Sequence, residues 1–121
     1  MAKKVLVVDD SESIRMLVST ILENAGFEVE RAVDGQDALH VLNEKSFNLI
    51  ITDLNMPRMD GISLIEEVRV TPPHNRVPIL MLTTESQASF KEKARHAGAT
   101  GWIVKPFVAD NLLAVINKVL R

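Results

Sequence analysis

The chain has 121 residues, a formal net charge of −2 and no cysteine. Its length corresponds to one domain with a sizeable core, and 46% hydrophobic with 25% charged residues is an ordinary balance for a globular protein. No stretch approaches the ~18 consecutive apolar residues of a membrane span, and the scattered basic residues form no patch for nucleic acid. We therefore expect a cytoplasmic protein without a membrane span and without a nucleic acid partner.

The first part of the chain predicts a central strand, a helix and an edge strand. Residues 4–8 are predicted to form a strand, and after Lys4 they are apolar without alternation, which is typical of a strand covered on both faces. Apolar residues then recur between Ile14 and Ala25 at the spacing of one helix face, and Gly26 ends that helix. In residues 27–33, Val29 and Arg31 alternate with Glu28 and Glu30, which indicates a short strand nearer the edge of a sheet.

The rest of the chain repeats this alternation after a predicted turn at Asp34-Gly35. Asp60 is a helix N-cap signal, and Pro72-Pro73 stops the helix that follows it. The predicted bounds are helix 36–44, strand 47–53, helix 61–70, strand 77–82, helix 87–97, strand 102–104 and a last helix marked by apolar residues from 112 to 120.

Strand followed by helix therefore occurs five times, with short connections. Because crossovers between parallel strands are right-handed and pass over one face of the sheet, this pattern predicts an α/β fold of the (βα)5 type. Its five-stranded parallel sheet would be doubly wound, with helices on both faces. No linker or shift in composition divides the chain, so we expect a single domain over residues 1–121 with no output domain.

Polar side chains stand at the exits of four predicted strands. They are Asp9 and Asp10 after the first strand, Asp53 at the end of the third, Thr83 after the fourth and Lys105 after the fifth. Parallel strands end at the same edge of the sheet, where ligands bind in the crevice between the loops. The sequence therefore predicts that three carboxylates, a hydroxyl and an ammonium share one crevice.

Such a crevice carries an excess of negative charge. Two like charges ~4 Å apart repel by ~4 kcal/mol at an effective dielectric of about 20. Protonation of a carboxylate would relieve the repulsion, and so would a divalent cation. Oxygen ligands without histidine or cysteine suit Mg²⁺. The three histidines, His40, His74 and His96, are dispersed and are predicted to be solvated surface residues.

A carboxylate can also act as a nucleophile towards phosphorus and form an acyl phosphate. Asp53 is the best placed of the three for this role. The oxygens of an incoming phosphoryl group would be met by the Lys105 ammonium, the Thr83 hydroxyl, a bound metal and loop backbone N–H groups. The strand ends thus predict a phosphoryl-accepting site.

The whole chain resembles the receiver domains of two-component response regulators, and most of all the CheY-like stand-alone chemotaxis regulators. Four blocks carry the resemblance, in order and at matching intervals: Asp9-Asp10, the run from Asp53 to Gly61, the run from Leu82 to Glu85, and the run from Val104 to Phe107. The resemblance implies the flavodoxin-like strand order 2-1-3-4-5. It also implies a cis peptide bond at Lys105-Pro106.

The resemblance further implies roles for individual residues. Asp53 would accept a phosphoryl group from a histidine kinase. Mg²⁺ would be held by Asp10, Asp53 and the backbone carbonyl of Asn55, with Asp9 acting through water. Asn55 and Glu85 occupy positions that in the family tune hydrolysis of the acyl phosphate, and they match the chemotaxis-type pair. A phosphatase is a further partner that the resemblance implies.

The resemblance also implies a surface for an output protein. It would comprise the last two helices and the fifth strand, around Ser86, Lys91, Trp102, Val104 and Val115. Trp102 stands where the family usually has Tyr or Phe, a ring that turns inward when Thr83 moves; a bulkier Trp turns less readily. Val115 stands where the flagellar-motor-binding members have Lys, which favours a somewhat different partner. We expect the protein to be a monomer.

Two other classes of function remain open from the sequence. A flavodoxin-like mononucleotide binder needs phosphate-binding N–H and hydroxyl groups after the first strand, where Asp9-Asp10 would repel a phosphate. A phosphatase with an aspartyl nucleophile needs a second acid two residues later, where this chain has Asn55. Flavin absorbance and turnover of a phosphomonoester would detect these alternatives.

Overall fold

The computed structural model describes residues 2–56, 59–84 and 88–120. In chain order its elements are β1 Lys4–Val8, α1 Glu12–Asn24, β2 Glu28–Ala32, α2 Gly35–Glu44, β3 Leu49–Asp53, α3 Gly61–Arg69, β4 Ile79–Thr83, α4 Ala88–Ala97, β5 Gly101–Val104 and α5 Ala109–Val119. All the predicted elements are present, and their bounds differ from the predicted ones by a few residues. Within the described ranges, no helix combines the length and the hydrophobicity that crossing a bilayer would require.

The five strands form one parallel sheet in the order β2-β1-β3-β4-β5. Every residue of β3 and β4 is buried, which explains why these strands are apolar without alternation. β2 lies at the edge of the sheet, as predicted, and only its last residue, Ala32, is buried. The (βα)5 fold and the strand order that the resemblance implied are both confirmed.

Each face of the sheet has its own hydrophobic core, because successive strand residues point to opposite faces. Helices α1 and α5 cover one face with buried side chains that include Val18, Leu22, Leu112 and Ile116. Helices α2, α3 and α4 cover the other face with buried side chains that include Ala38, Leu42, Leu64, Val68 and Ala94. With both faces covered, the sheet edges at the strand ends are left for polar groups.

Polar residues cap the first three helices. Ser11, Asp34 and Asp60 accept hydrogen bonds from the backbone N–H three residues later, at 3.4, 2.9 and 2.8 Å respectively. Asp60 was predicted as a cap, whereas Asp34 was expected only as a turn residue and also begins α2. Gly26 follows the end of α1 with a φ of 95°, the left-handed conformation predicted for a residue that ends a helix.

The prediction that all three histidines are solvated is wrong for His74. His40 and His96 are exposed, but His74 is only 7% exposed. The backbone N–H of His74 donates to the Thr71 carbonyl at 3.2 Å, and His74 lines one hollow together with Leu42 of α2 and Val68 of α3. Loop residues carry no periodic pattern, so this burial could not be predicted from the sequence.

Candidate functional site

The carboxyl ends of four strands bring the predicted site residues to one edge of the sheet. They are Asp9 after β1, Asp53 at the end of β3, Thr83 at the end of β4 and Lys105 after β5. The pairing register sets them side by side. Asp53 pairs with the residue before Thr83, and Thr83 pairs with the residue before Lys105. The crevice that the sequence predicted at this edge is therefore present.

Three carboxylates lie together in this crevice. Asp9, Asp10 and Asp53 each offer an oxygen, and these oxygens all lie within 4.8 Å of one another. Asp9 and Asp53 are 2% and 8% exposed, whereas Asp10 is open to solvent. Two of the three acids are thus held where water screens their charges poorly.

The Lys105 ammonium lies between the two buried acids. Its Nζ donates to Asp53 Oδ1 at 2.9 Å and to Asp9 Oδ2 at 3.3 Å. The peptide bond from Lys105 to Pro106 is cis, as the resemblance implied. A single ammonium bonded to both carboxylates offsets part of the repulsion between them, and these two bonds hold the ammonium in the crevice.

The electrostatics of the crevice shift two pKa values. Burial raises the pKa of Asp9, and the neighbouring charge of Asp53 raises it further; the hydrogen bond from the Ser11 N–H and the charge of Lys105 oppose this without cancelling it. Burial lowers the pKa of Lys105, but the bond to Asp53 and the charges of both acids outweigh burial and leave its pKa raised. Lys105 is therefore charged at neutral pH, and the ionised form of Asp9 lowers the stability of the folded protein.

Hydrogen bonds to other residues hold Asp9 in place. Its Oδ1 accepts from the Ser11 N–H at 2.9 Å, its own N–H donates to the Ala32 carbonyl at 3.2 Å, and its carbonyl accepts from Arg15 Nη1 at 2.6 Å. Sequence reasoning missed Arg15. An arginine in the second turn of a helix that follows an acidic loop can reach back to that loop, and this spacing was the available signal.

The donor set of the crevice fits a hard divalent cation. The candidate ligands are carboxylate oxygens, without the nitrogen or sulfur that softer metals prefer. Oxygens within 4.8 Å of one another can reach one ion at the ~2.1 Å of a Mg²⁺–O bond with small side-chain movements. The excess of negative charge and the raised pKa of Asp9 both indicate that a further positive charge would stabilise the ionised acids.

Other predicted site residues are placed less completely. Thr83 is 1% exposed at the end of β4, and Asn55 is exposed two residues past Asp53. Glu85, predicted to tune hydrolysis, and Ser86, predicted on the output surface, lie outside the described residues, as do Pro57 and Arg58 of the Asp53 block. The roles of these residues stay predictions.

Trp102 is half-buried on β5. Its ring makes an edge-to-face contact with Phe90 of α4, with centroids 6.1 Å apart and planes at 60°. The indole Nε1 is buried, and no hydrogen-bond partner for it lies within the part of the chain that the structure describes. Trp102 and Lys91 line a hollow of about 170 Å³ between α4 and β5. Val104 on β5 and Val115 on α5 are also half-buried.

Comparison with known proteins assigns this architecture to a family. The family model for the response regulator receiver domain matches residues 5–117. Chemotaxis protein CheY-3 of Vibrio cholerae serotype O1 is 38% identical over 119 residues, which are 98% of this chain and 92% of that protein. This match favours the receiver interpretation over the mononucleotide-binding and phosphatase alternatives.

Solved structures agree with this match. Chemotaxis response regulator CheY4 of Vibrio cholerae is 47% identical, with a TM-score of 0.95 over 99% of this chain and 100% of that chain. The receiver domain of sensor histidine kinase PA1611 from Pseudomonas aeruginosa PAO1 is 25% identical, with a TM-score of 0.91 over 99% of this chain and 98% of that chain. That structure has a magnesium ion coordinated in its active-site cleft.

Proposed function

The chain belongs to the response regulator receiver family, and from this membership and the geometry of the crevice we propose that it is a phosphorylation-dependent signalling switch. In this proposal Asp53 accepts a phosphoryl group from a histidine kinase, with Mg²⁺ as the metal, and the acyl phosphate changes the surface offered to an output protein. The chain then acts as a CheY-like regulator in chemotaxis or related signalling, as one receiver domain, in the cytoplasm and as a monomer. It assists its own phosphorylation and dephosphorylation and is otherwise not an enzyme.

The observation that carries the proposal is the position of Lys105. A lysine bonded to two buried carboxylates at 2.9 and 3.3 Å is more than a stabilising ion pair, because the third acid, Asp10, remains open beside them. A purely structural ion pair would leave no reason for a further carboxylate beside two buried acids that share a single lysine. The arrangement suits a site that receives a cation and an anionic group together.

In the proposed reaction a carboxylate oxygen of Asp53 attacks phosphorus as the bond between phosphorus and the kinase histidine breaks. The electron pair of that bond returns to the imidazole, which takes up a proton. Lys105 turns from the Asp53 carboxylate to the phosphoryl oxygens and balances their charge, and the Thr83 hydroxyl donates to one of them. Mg²⁺, held by Asp10, Asp53 and the Asn55 carbonyl with Asp9 through water, would supply positive charge that neutralises the transferring group.

The switch then consists of two arrangements of the segment after β4. The acyl phosphate favours the arrangement in which the buried Thr83 hydroxyl contacts a phosphoryl oxygen, and Trp102 responds to the change. Asn55 and Glu85 tune how soon the acyl phosphate is hydrolysed, and a phosphatase can shorten its life. Support for movement at Trp102 comes from its buried Nε1, which has no hydrogen-bond partner among the described residues.

The output protein is proposed to bind the surface formed by α4, β5 and α5. The hollow between α4 and β5 has an apolar floor that includes Ala94 and Trp102 and a basic rim of Lys91 and Arg95. A partner segment with an apolar side chain and flanking carboxylates would complement it. Val115, at the position where the flagellar-motor-binding members have lysine, reduces the positive charge of this surface.

Incubation with acetyl phosphate and Mg²⁺, followed by intact-mass measurement, tests the proposal. We expect one phosphoryl group per chain, complete dependence on Mg²⁺, and a change in the fluorescence of Trp102, the single tryptophan. Asp53→Asn should abolish the mass increase, whereas Asp60→Asn, a substitution at a helix cap outside the crevice, should retain it. Labelling that persists in Asp53→Asn would refute the assignment of the acceptor.

A further inference from the structure

We infer that Arg15 is a positioning residue of the acidic crevice: through the Asp9 carbonyl it fixes the peptide plane that joins Asp9 to Asp10. The inference rests on the proposed function, since it concerns the acids proposed to hold Mg²⁺. It starts from one contact, in which Arg15 Nη1 donates to the Asp9 carbonyl oxygen at 2.6 Å. A charged donor at this distance makes one of the stronger hydrogen bonds available to a backbone carbonyl.

The contact completes the anchoring of Asp9. Its carboxylate is bonded by the Ser11 N–H and by Lys105, and its own N–H is bonded to Ala32 of β2. Without Arg15 the carbonyl would be the one backbone group of Asp9 left for solvent or the loop to satisfy. With Arg15, the side chain and both backbone groups of Asp9 have protein partners.

The Asp9 carbonyl belongs to the same planar peptide unit as the Asp10 nitrogen and Cα. Fixing that carbonyl therefore fixes the position of the Asp10 Cα and restricts the directions in which its side chain can leave the backbone. Asp10 depends on this, because it is exposed and no side chain in the described part of the chain bonds its carboxylate. Arg15 thus positions the acid that has no direct support of its own.

The positive charge of Arg15 has the opposite effect on a metal. A guanidinium beside the crevice repels a divalent cation, so removing its charge alone would strengthen Mg²⁺ binding. Removing its hydrogen bond would loosen the Asp9–Asp10 peptide plane and weaken binding. The two effects differ in sign, so the direction of the change in affinity tells which one Arg15 exerts.

Arg31 provides a matched control. It lines the same hollow of about 180 Å³ as Arg15, together with Glu12 and Met16. Its guanidinium is engaged elsewhere: Nε donates to Ser19 Oγ at 2.9 Å, and Nη2 lies 3.6 Å from Glu23 Oε1. Arg31→Met removes the same charge from the same hollow and leaves the Asp9 carbonyl bonded.

Calorimetric titration with MgCl₂ separates these effects. We expect Arg15→Met to weaken Mg²⁺ binding by about tenfold, a loss typical of residues that orient metal ligands. Arg15→Lys, which keeps the charge and one donor, should recover part of the loss, and Arg31→Met should bind as the unaltered protein does or slightly more tightly. Affinity in Arg15→Met that equals or exceeds that of the unaltered protein would overturn the inference.

Hydrogen exchange in the absence of metal gives a second, independent readout. The Ser11 N–H is bonded to the Asp9 carboxylate, so a looser Asp9–Asp10 segment should exchange this proton faster in Arg15→Met than in Arg31→Met. Equal exchange in the two variants would overturn the inference even where their melting temperatures differ. If the unaltered protein binds no Mg²⁺, the proposed function fails, and the exchange experiment still decides the role of Arg15.

Discussion

At the carboxyl ends of the strands, charged side chains lie buried together, whereas at two of the amino ends neutral groups pair through reciprocal hydrogen bonds. At the amino ends, the Asn48 side chain accepts from the Lys4 N–H at 2.8 Å, and the Asn48 N–H donates to the Lys4 carbonyl at 2.8 Å. Thr100 and Ile79 form a similar reciprocal pair, at 2.8 and 3.1 Å. At the carboxyl ends, Asp9 and Asp53 are buried around one ammonium.

The difference shows what each end contributes. Paired neutral groups satisfy one another and need nothing from outside the chain. Two buried carboxylates with one lysine retain unbalanced charge, which favours a further cation. The paired groups at the amino ends therefore contribute to stability. At the carboxyl ends, carboxylates that one lysine does not neutralise are available to bind a cation. Substitutions at one end of the strands, compared with matched substitutions at the other end, test this difference.

The largest effect is expected from Lys105→Met. The substitution removes the ammonium that lies 2.9 Å from Asp53 Oδ1, and with it the proposed charge partner of the phosphoryl oxygens. We expect phosphorylation by acetyl phosphate to slow by about 100-fold, as for loss of one stabilising donor in other active sites. A mass-spectrometric time course measures the rate. Lys4→Met, at the amino end of β1, serves as the control. A phosphorylation rate of Lys105→Met within threefold of the Lys4→Met rate would contradict the prediction.

Glycines at the two ends should tolerate alanine differently. A Cβ on Gly61 would lie 2.4 Å from the Asp53 backbone oxygen, which cannot move without shifting the site. A Cβ on Gly101, at the amino end of β5, would lie 2.5 Å from Leu80 Cδ2, the end of a flexible side chain. We expect Gly61→Ala to lower the free energy of unfolding by about 1–3 kcal/mol in urea titrations. An equal or larger loss in Gly101→Ala would count against this account.

Asp9→Asn should stabilise the metal-free protein at neutral pH. Because burial raises the pKa of Asp9, the folded protein releases this proton less readily than the unfolded chain does. Ionisation of Asp9 therefore lowers the free energy of unfolding. This loss is absent below the ordinary aspartate pKa, grows as the pH rises past it, and is complete above the raised pKa. We expect Tm at pH 7 in EDTA to rise by a few degrees. The gain should shrink on acidification, and a gain that grows instead would contradict the assignment.

The smallest effect is expected from Asn48→Ala at the amino end. It removes one neutral, exposed hydrogen bond to the Lys4 N–H, and we expect a loss of about 0.5 kcal/mol in the free energy of unfolding. The phosphorylation rate should stay unchanged, since the substitution lies at the edge of the sheet opposite the crevice. A slowed rate would show that the two ends are not independent.

The local pattern of the chain was enough to predict the elements and the members of the crevice. Short apolar runs identified β1, β3 and β4, and the polar residue that ends each run identified a strand exit. The strand order came from resemblance to a family, because strand runs of similar composition do not reveal which neighbours they pair with. Sequence reasoning failed at His74, where a loop without periodicity folds back over apolar side chains.

The sequence by itself determined the fold class, the succession of strands and helices, and which residues stand at the strand exits, since hydrophobic spacing and chain breakers act over a few neighbouring residues. Only the tertiary structure decided that Lys105 bonds both Asp9 and Asp53, that Arg15 reaches the Asp9 carbonyl, and that Trp102 stacks edge-on against Phe90. These contacts depend on side-chain directions and strand register. Both are set when the whole sheet assembles, and no local stretch of sequence encodes them.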